Sequence, residues 1–223
     1  MPFFLSDNEN RFPPVHLADA DGILALGGDL STERLLLAYR SGIFPWYDGE
    51  TIIWWAPDPR FVLFPEELKI SRSFRSFLQK NDPGSGGFEW TVNRAFPEVI
   101  KACREIKRPG QSGTWITPEV EKAYVRLHEL GYAHSAETWQ DGRLIGGLYG
   151  IRMGNVFFGE SMFSRQSQAS RFAFVNYVSE LQKEGVQLID CQVYTDYLKS
   201  FGARMISRDR FSRLLQKWIP STG

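Results

Sequence analysis

Apolar and polar residues follow two periods along this chain, and the switches between them outline its elements. From 133 to 163 the period is two. Three runs, HSAETWQ, RLIGGLYGIR and NVFFGESMF, are separated by the turn dipeptides Asp141-Gly142 and Gly154-Asn155, which predicts an antiparallel meander. On either side the spacing is helical. ISRSFRSFLQK (70–80) reads as a short amphipathic helix. A second helix opens at Asn93 and runs through Val99, Ile100 and Cys103. A third starts at Thr117-Pro118, an N-cap followed by proline, and closes at Gly131. A long helix spans about 167–184, with Phe174, Val175, Val178 and Leu181 inward and Gly185 as its stop. VQLIDCQVY (186–194) alternates as a strand; a short helix, a strand near ARMIS and a last helix to Trp218 complete the pattern.

The first sixty residues are less regular. Ser31 caps a helix through Leu35, Leu36 and Leu37 that ends before Gly42, and IIWW (52–55) reads as a short strand between Pro45 and Pro57-Asp58-Pro59. NDPGSGG (81–87) is a loop by composition. The expected fold class is α+β. A small N-terminal domain (1–62) precedes a larger domain (63–223) with a mixed, mainly antiparallel sheet.

Composition narrows the function. The 223 residues are 43% hydrophobic, enough for a core without disulfides or metal. Lys+Arg and Asp+Glu are both 26, so the chain does not grip nucleic acid through bulk positive charge, although local basic patches remain open to it. Cys103 and Cys191 make no disulfide framework. His16, His128 and His134 are scattered, so no metal site is expected. There is no apolar run of membrane-spanning length and no secretory leader pattern, which makes the cytoplasm the expected compartment. Aromatic content is high at 14%, with 7 Trp.

Two strands carry candidate chemistry. In 186–194, Ile189, Cys191 and Val193 share an apolar face expected to be buried, while Asp190 and Gln192 share the other, about 7 Å apart. A carboxylate there needs a partner; the plain alternative is a polar face under solvent or a hydrogen-bonded helix. In NVFFGESMF, Glu160 is the lone charge beside Gly159. It is either a group with a shifted pKa or the partner of a structural arginine such as Arg165. Ser161 lacks the G-x-S-x-G elbow of hydrolases. Neither G-x-x-x-x-G-K-[ST] nor G-x-G-x-x-G occurs, so nothing points to nucleotide activation or a dinucleotide. The junction SRQSQASR (164–171) has no glycine, which makes coenzyme A a poor ligand. Lys69, Arg72, Arg75 and Lys80, and separately Lys101, Arg104, Lys107 and Arg108, are solvated helix faces or phosphate contacts.

Seven motifs in order, LALGGDLS (24–31), YRSGIFPWY (39–47), WWAPDPR (54–60), GTWIT (113–117), GGLYG (146–150), GESMFSR (159–165) and LIDCQ (188–192), resemble the bacterial leucyl/phenylalanyl-tRNA–protein transferases. The resemblance covers about 20–215. It implies a C-terminal acyltransferase domain of the GNAT type, no cofactor, and aminoacyltransferase (leucyltransferase) activity. Leu, Phe or Met would pass from aminoacyl-tRNA to the N-terminal Arg or Lys of a protein, marking it for proteolysis.

The same resemblance implies site roles. Asp190 orients and polarises Gln192, which engages the reacting amine, and Glu160 accepts a proton or holds the acceptor's cationic N-terminus. Leu148, Phe157, Met162, Phe174, Tyr177 and Ile189 wall the donor side-chain pocket, with Tyr177 where a Phe is expected. Trp46, Trp115, Tyr39 and Tyr124 hold the terminal adenosine. Lys69, Arg72, Arg75 and Lys80 contact the tRNA backbone. The competing expectations are an aminoacyl-tRNA-dependent transferase with a peptidoglycan-type acceptor and a non-catalytic tRNA-binding module. A monomer is expected.

Overall fold

The computed structural model describes residues 2–220 except Asn8, 82–86 and 107–113. Strands β1 (Phe3–Leu5) and β2 (Ile23–Gly27) precede helix α1 (Thr32–Arg40); β3 (Phe44–Pro45) and β4 (Ile53–Trp55) follow it. They form a four-stranded sheet in the order β1-β2-β4-β3, with only β1 and β2 parallel. Of this sheet only β4 was expected. As expected, the Ser31 hydroxyl caps α1 by accepting the Arg34 N–H.

The chain then runs through β5 (Arg60–Leu63), α2 (Arg72–Lys80), β6 (Glu89–Val92), α3 (Phe96–Glu105), α4 (Pro118–Glu129), β7 (Ala133–Gln140), β8 (Arg143–Met153) and β9 (Val156–Ser164). It ends with α5 (Ala169–Lys183), β10 (Leu188–Gln192), α6 (Asp196–Ser200), β11 (Arg204–Ile206) and α7 (Arg208–Trp218). Seven of these strands form a second sheet in the order β11-β5-β10-β9-β8-β7-β6. It is mixed: β9 and β10 are parallel and every other pair is antiparallel. The meander is β7–β8–β9, with Asp141 and Gly142 both at positive φ, as a tight hairpin turn requires.

Two boundaries differ from expectation. Helix α3 begins at Phe96, because Asn93 sits at φ 58 and uses its side chain elsewhere: its Oδ1 accepts the Ser135 N–H at 2.9 Å. Strand β10 ends at Gln192, whose φ of 61 breaks the alternation. Val193, expected on the buried face, is therefore 38% exposed. The loop expected at 81–87 lies mostly outside the described residues.

The expected boundary at 62/63 falls inside β5, an interior strand between β10 and β11. Residues of both sheets also share one core. Leu24, Trp54, Phe96, Tyr124, Phe158 and Phe211 belong to a single buried cluster, while a second cluster, with Phe61, Phe157, Phe172 and Ile189, lies with α2 and α5. No helix among the described residues is long and apolar enough to cross a membrane.

Candidate active site

The site forms where the parallel pairing of the seven-stranded sheet stops. Strands β9 and β10 pair only through Leu188–Val156, Ile189–Phe157 and Asp190–Phe158. Beyond that point β9 continues beside β8 alone, and β10 turns away at Gln192. A cavity of about 930 Å³ lies at this gap, within the usual size for a small-molecule site. Leu148, Phe157, Met162, Phe174, Tyr177 and Ile189 all line it, joined by Val178, Leu181 and Cys191, which the sequence reading expected as buried core and not as cavity wall. The Phe157 and Tyr177 rings meet edge to face, 5.3 Å between centroids. Burial pushes the Tyr177 hydroxyl and the Cys191 thiol well up, so both stay neutral.

Glycine makes room for this wall. A Cβ on Gly150 would collide with the Phe158 carbonyl oxygen and stand 2.5 Å from Phe157 Cζ. Gly150→Ala is expected to destabilise the protein by about 1–3 kcal/mol and to displace Phe157. A thermal melt within a degree of wild type would refute this.

At one end of the cavity, Glu160, Asp190 and Gln192 come together. The Gln192 Nε2 donates to Glu160 Oε1 at 2.8 Å, bridging the gap between the strands. Asp190 does not touch that carboxamide. Its Oδ1 accepts the Gln192 backbone N–H at 2.9 Å. The Asp190 partner is Arg60, which donates from Nε at 2.8 Å and Nη2 at 2.7 Å, and both side chains are fully buried. Arg60 was not among the sequence candidates, although it is the lone charge opening the apolar run FVLF (61–64). The alternative pairing of Glu160 with Arg165 does not occur; Arg165 lies over the Phe163 ring and donates to the Leu144 carbonyl.

Glu160 is half-buried and lines the cavity. Loss of water is the largest influence on it and Asp190 adds repulsion, against the hydrogen-bonded Tyr39–Tyr124 hydroxyl pair and the attraction of Arg60. The balance pushes its carboxyl up to about 8.

Tyr39 and Tyr124 are placed differently from Trp46 and Trp115. Both tyrosines are fully buried and neither lines the cavity. Their hydroxyls bond to each other, and Tyr124 donates to Glu160 Oε2 at 3.2 Å. Burial, reinforced by Glu160, raises both well above the ordinary phenol range. Trp46 and Trp115 do line the cavity, and Trp46 is 42% exposed. Lys69, Arg72, Arg75 and Lys80 are exposed on and just before α2, away from the cavity lining. Arg104 pairs with Glu121 at 2.9 Å; Lys107 and Arg108 lie outside the described residues. Thr195 lines the cavity and caps α6 through its hydroxyl. No group of three His, Cys, Asp or Glu side chains among the described residues could hold a metal ion.

Comparison with known proteins agrees with these motifs. A family model described as leucyl/phenylalanyl-tRNA protein transferase matches residues 62–216, and one for that family's N-terminal domain matches 28–58. A leucyl/phenylalanyl-tRNA–protein transferase of Syntrophobacter fumaroxidans is 57% identical over 99% of this chain and 92% of its own. That of Chromobacterium violaceum is 56% identical over 94% and 88%, and that of Christiangramia forsetii 51% over 96% and 99%. Among solved structures, a GCN5-related N-acetyltransferase from Kribbella flavida is similar with a TM-score of 0.39 at 12% identity, over 77% of this chain and 60% of its own. With two family models matching successive segments and relatives 51–57% identical over nearly the whole chain, the chain belongs to the leucyl/phenylalanyl-tRNA–protein transferase family.

Proposed function

We propose that the protein transfers Leu, Phe or Met from aminoacyl-tRNA to the N-terminal Arg or Lys of acceptor proteins, in the cytoplasm and as a monomer. The observation that carries this reading is the Glu160–Gln192 hydrogen bond at the end of an apolar cavity. The donor's apolar side chain fits the wall around Leu148, Phe157 and Met162, while Trp46 and Trp115 offer stacking faces for the terminal adenosine. Lys69, Arg72, Arg75 and Lys80 would meet the tRNA backbone.

The donor ester is already activated, so no nucleoside triphosphate is needed. The acceptor's α-amine attacks the ester carbonyl carbon, a C–N bond forms, and the C–O bond to the ribose breaks. The ribose oxygen leaves with a proton that the amine gave up. With its Nε2 held by Glu160, the Gln192 carboxamide oxygen is free to accept an N–H of that amine. Glu160, at about 8, matches the ordinary α-ammonium pKa of about 8, which suits it to take the proton. The arriving ammonium would itself favour the carboxylate.

The test offers Leu-, Phe- and Ile-tRNA, radiolabelled, to a protein with N-terminal Arg, without ATP or metal. Leu and Phe are expected to transfer. Ile should transfer with a kcat/KM about ten- to a hundred-fold lower, since an apolar pocket discriminates mainly by shape. Binding of aminoacyl-tRNA with no transfer would replace this reading with a binding module or a different acceptor.

A further inference from the structure

The catalytic trio is held by a residue from outside its own strands. Arg60 enters from β5 and is 1% exposed. Its guanidinium carbon lies 4.6 Å from the Phe44 ring centroid and 4.8 Å from that of Phe211. Phe44 belongs to the N-terminal sheet and Phe211 to α7. Two rings therefore fix the plane of the guanidinium, and its two parallel hydrogen bonds fix both oxygens of Asp190. One of those oxygens also takes the Gln192 N–H at the residue where the backbone turns to φ 61. A non-glycine residue persists in that conformation only when its surroundings hold it there.

We propose that Arg60 is a positioning residue for the transfer reaction. It locks the Asp190 carboxylate as a fixed acceptor, which pins Gln192 in its left-handed conformation and aims its carboxamide at Glu160. With both oxygens engaged by a guanidinium, Asp190 is an anchor and not a proton acceptor. The inference rests on the transferase reading of the Glu160–Gln192 pair.

Arg60→Lys keeps the charge but loses the two-pronged geometry. It is expected to lower kcat for Leu-tRNA transfer at least tenfold and to leave the KM for aminoacyl-tRNA within about twofold, because the donor pocket is untouched. A crystal structure of the variant should show the Gln192 carboxamide moved out of hydrogen-bond reach of Glu160. If Arg60→Lys does not fold, the neutral pair Arg60→Gln with Asp190→Asn restores a hydrogen-bonded match. That pair should recover more activity than Asp190→Asn alone. Full activity in folded Arg60→Lys overturns the proposal. So does a fall in activity with Gln192 undisturbed, a loss confined to KM, or a neutral pair no better than the single variant. Absence of transfer by the wild-type protein would instead reject the transferase reading on which the inference stands.

Discussion

Asp190→Ala is expected to cost the fold about 3–5 kcal/mol and to abolish transfer in the molecules that remain folded. Two separate losses combine. The first is electrostatic: the Arg60 guanidinium stays buried between Phe44 and Phe211 with no counter-charge. An uncompensated buried cation is among the most costly single defects a core can carry. The second is conformational: the Gln192 N–H loses its acceptor, which leaves the Val193 N–H to Cys191 carbonyl bond to hold the turn at φ 61. For a chain of this size a loss of that order lowers the melting midpoint by roughly ten degrees. The measurements are a thermal melt and a single-turnover transfer assay below the variant's midpoint. A variant that melts with wild type would show that Arg60 finds other partners at no cost.

Glu160→Gln is expected to reduce transfer about 10²–10⁴-fold and to change its pH dependence. On the proposed mechanism two groups lose protons before attack in the wild type: the acceptor ammonium and Glu160, raised from 4.5 to about 8 chiefly by loss of water. Well below both values, log(kcat/KM) for the acceptor should therefore climb with a slope approaching 2. With glutamine only the ammonium titrates, and the slope should fall to 1. An unchanged slope would remove Glu160 from the proton path.

Stability moves the other way. A carboxyl held above its unfolded value keeps a proton the unfolded chain has lost. The stability from this group is thus whole below about 4.5 and declines as pH rises through about 8. The glutamine variant lacks that decline and should gain on wild type, by on the order of a few kcal/mol, when both are unfolded by urea at pH 9.

What the sequence made legible follows from how local each cause is. The meander β7–β8–β9, the caps at Ser31 and Thr117, and the stops at Gly131 and Gly185 are written in adjacent residues. The donor-pocket residues named from the family resemblance all line the cavity. The four-stranded sheet was mostly hidden because its strands are two to five residues long and offer too few positions for a period. Arg60 was hidden because its partner is 130 residues away. The ends of β10 and α3 were misjudged for one reason. Gln192 and Asn93 both take positive φ: Asn93 is tied to Ser135 across the sheet, and Gln192 to the nearby Asp190 carboxylate, which the distant Arg60 fixes in turn.

That separation has a consequence for how the molecule comes into being. β5 emerges from the ribosome long before both of its sheet neighbours, β10 and β11. Phe211, which closes one side of Arg60, arrives later still. Long-range pairings of this kind delay completion of a fold until the distant segment exists. During synthesis Arg60 therefore waits in water without Asp190 for most of the chain's length. A message cut short before codon 190 yields a nascent product with much of the cavity wall but without Asp190 and Gln192. On the proposed mechanism, competence to transfer thus requires that translation has passed the segment that carries Asp190, Gln192 and Phe211.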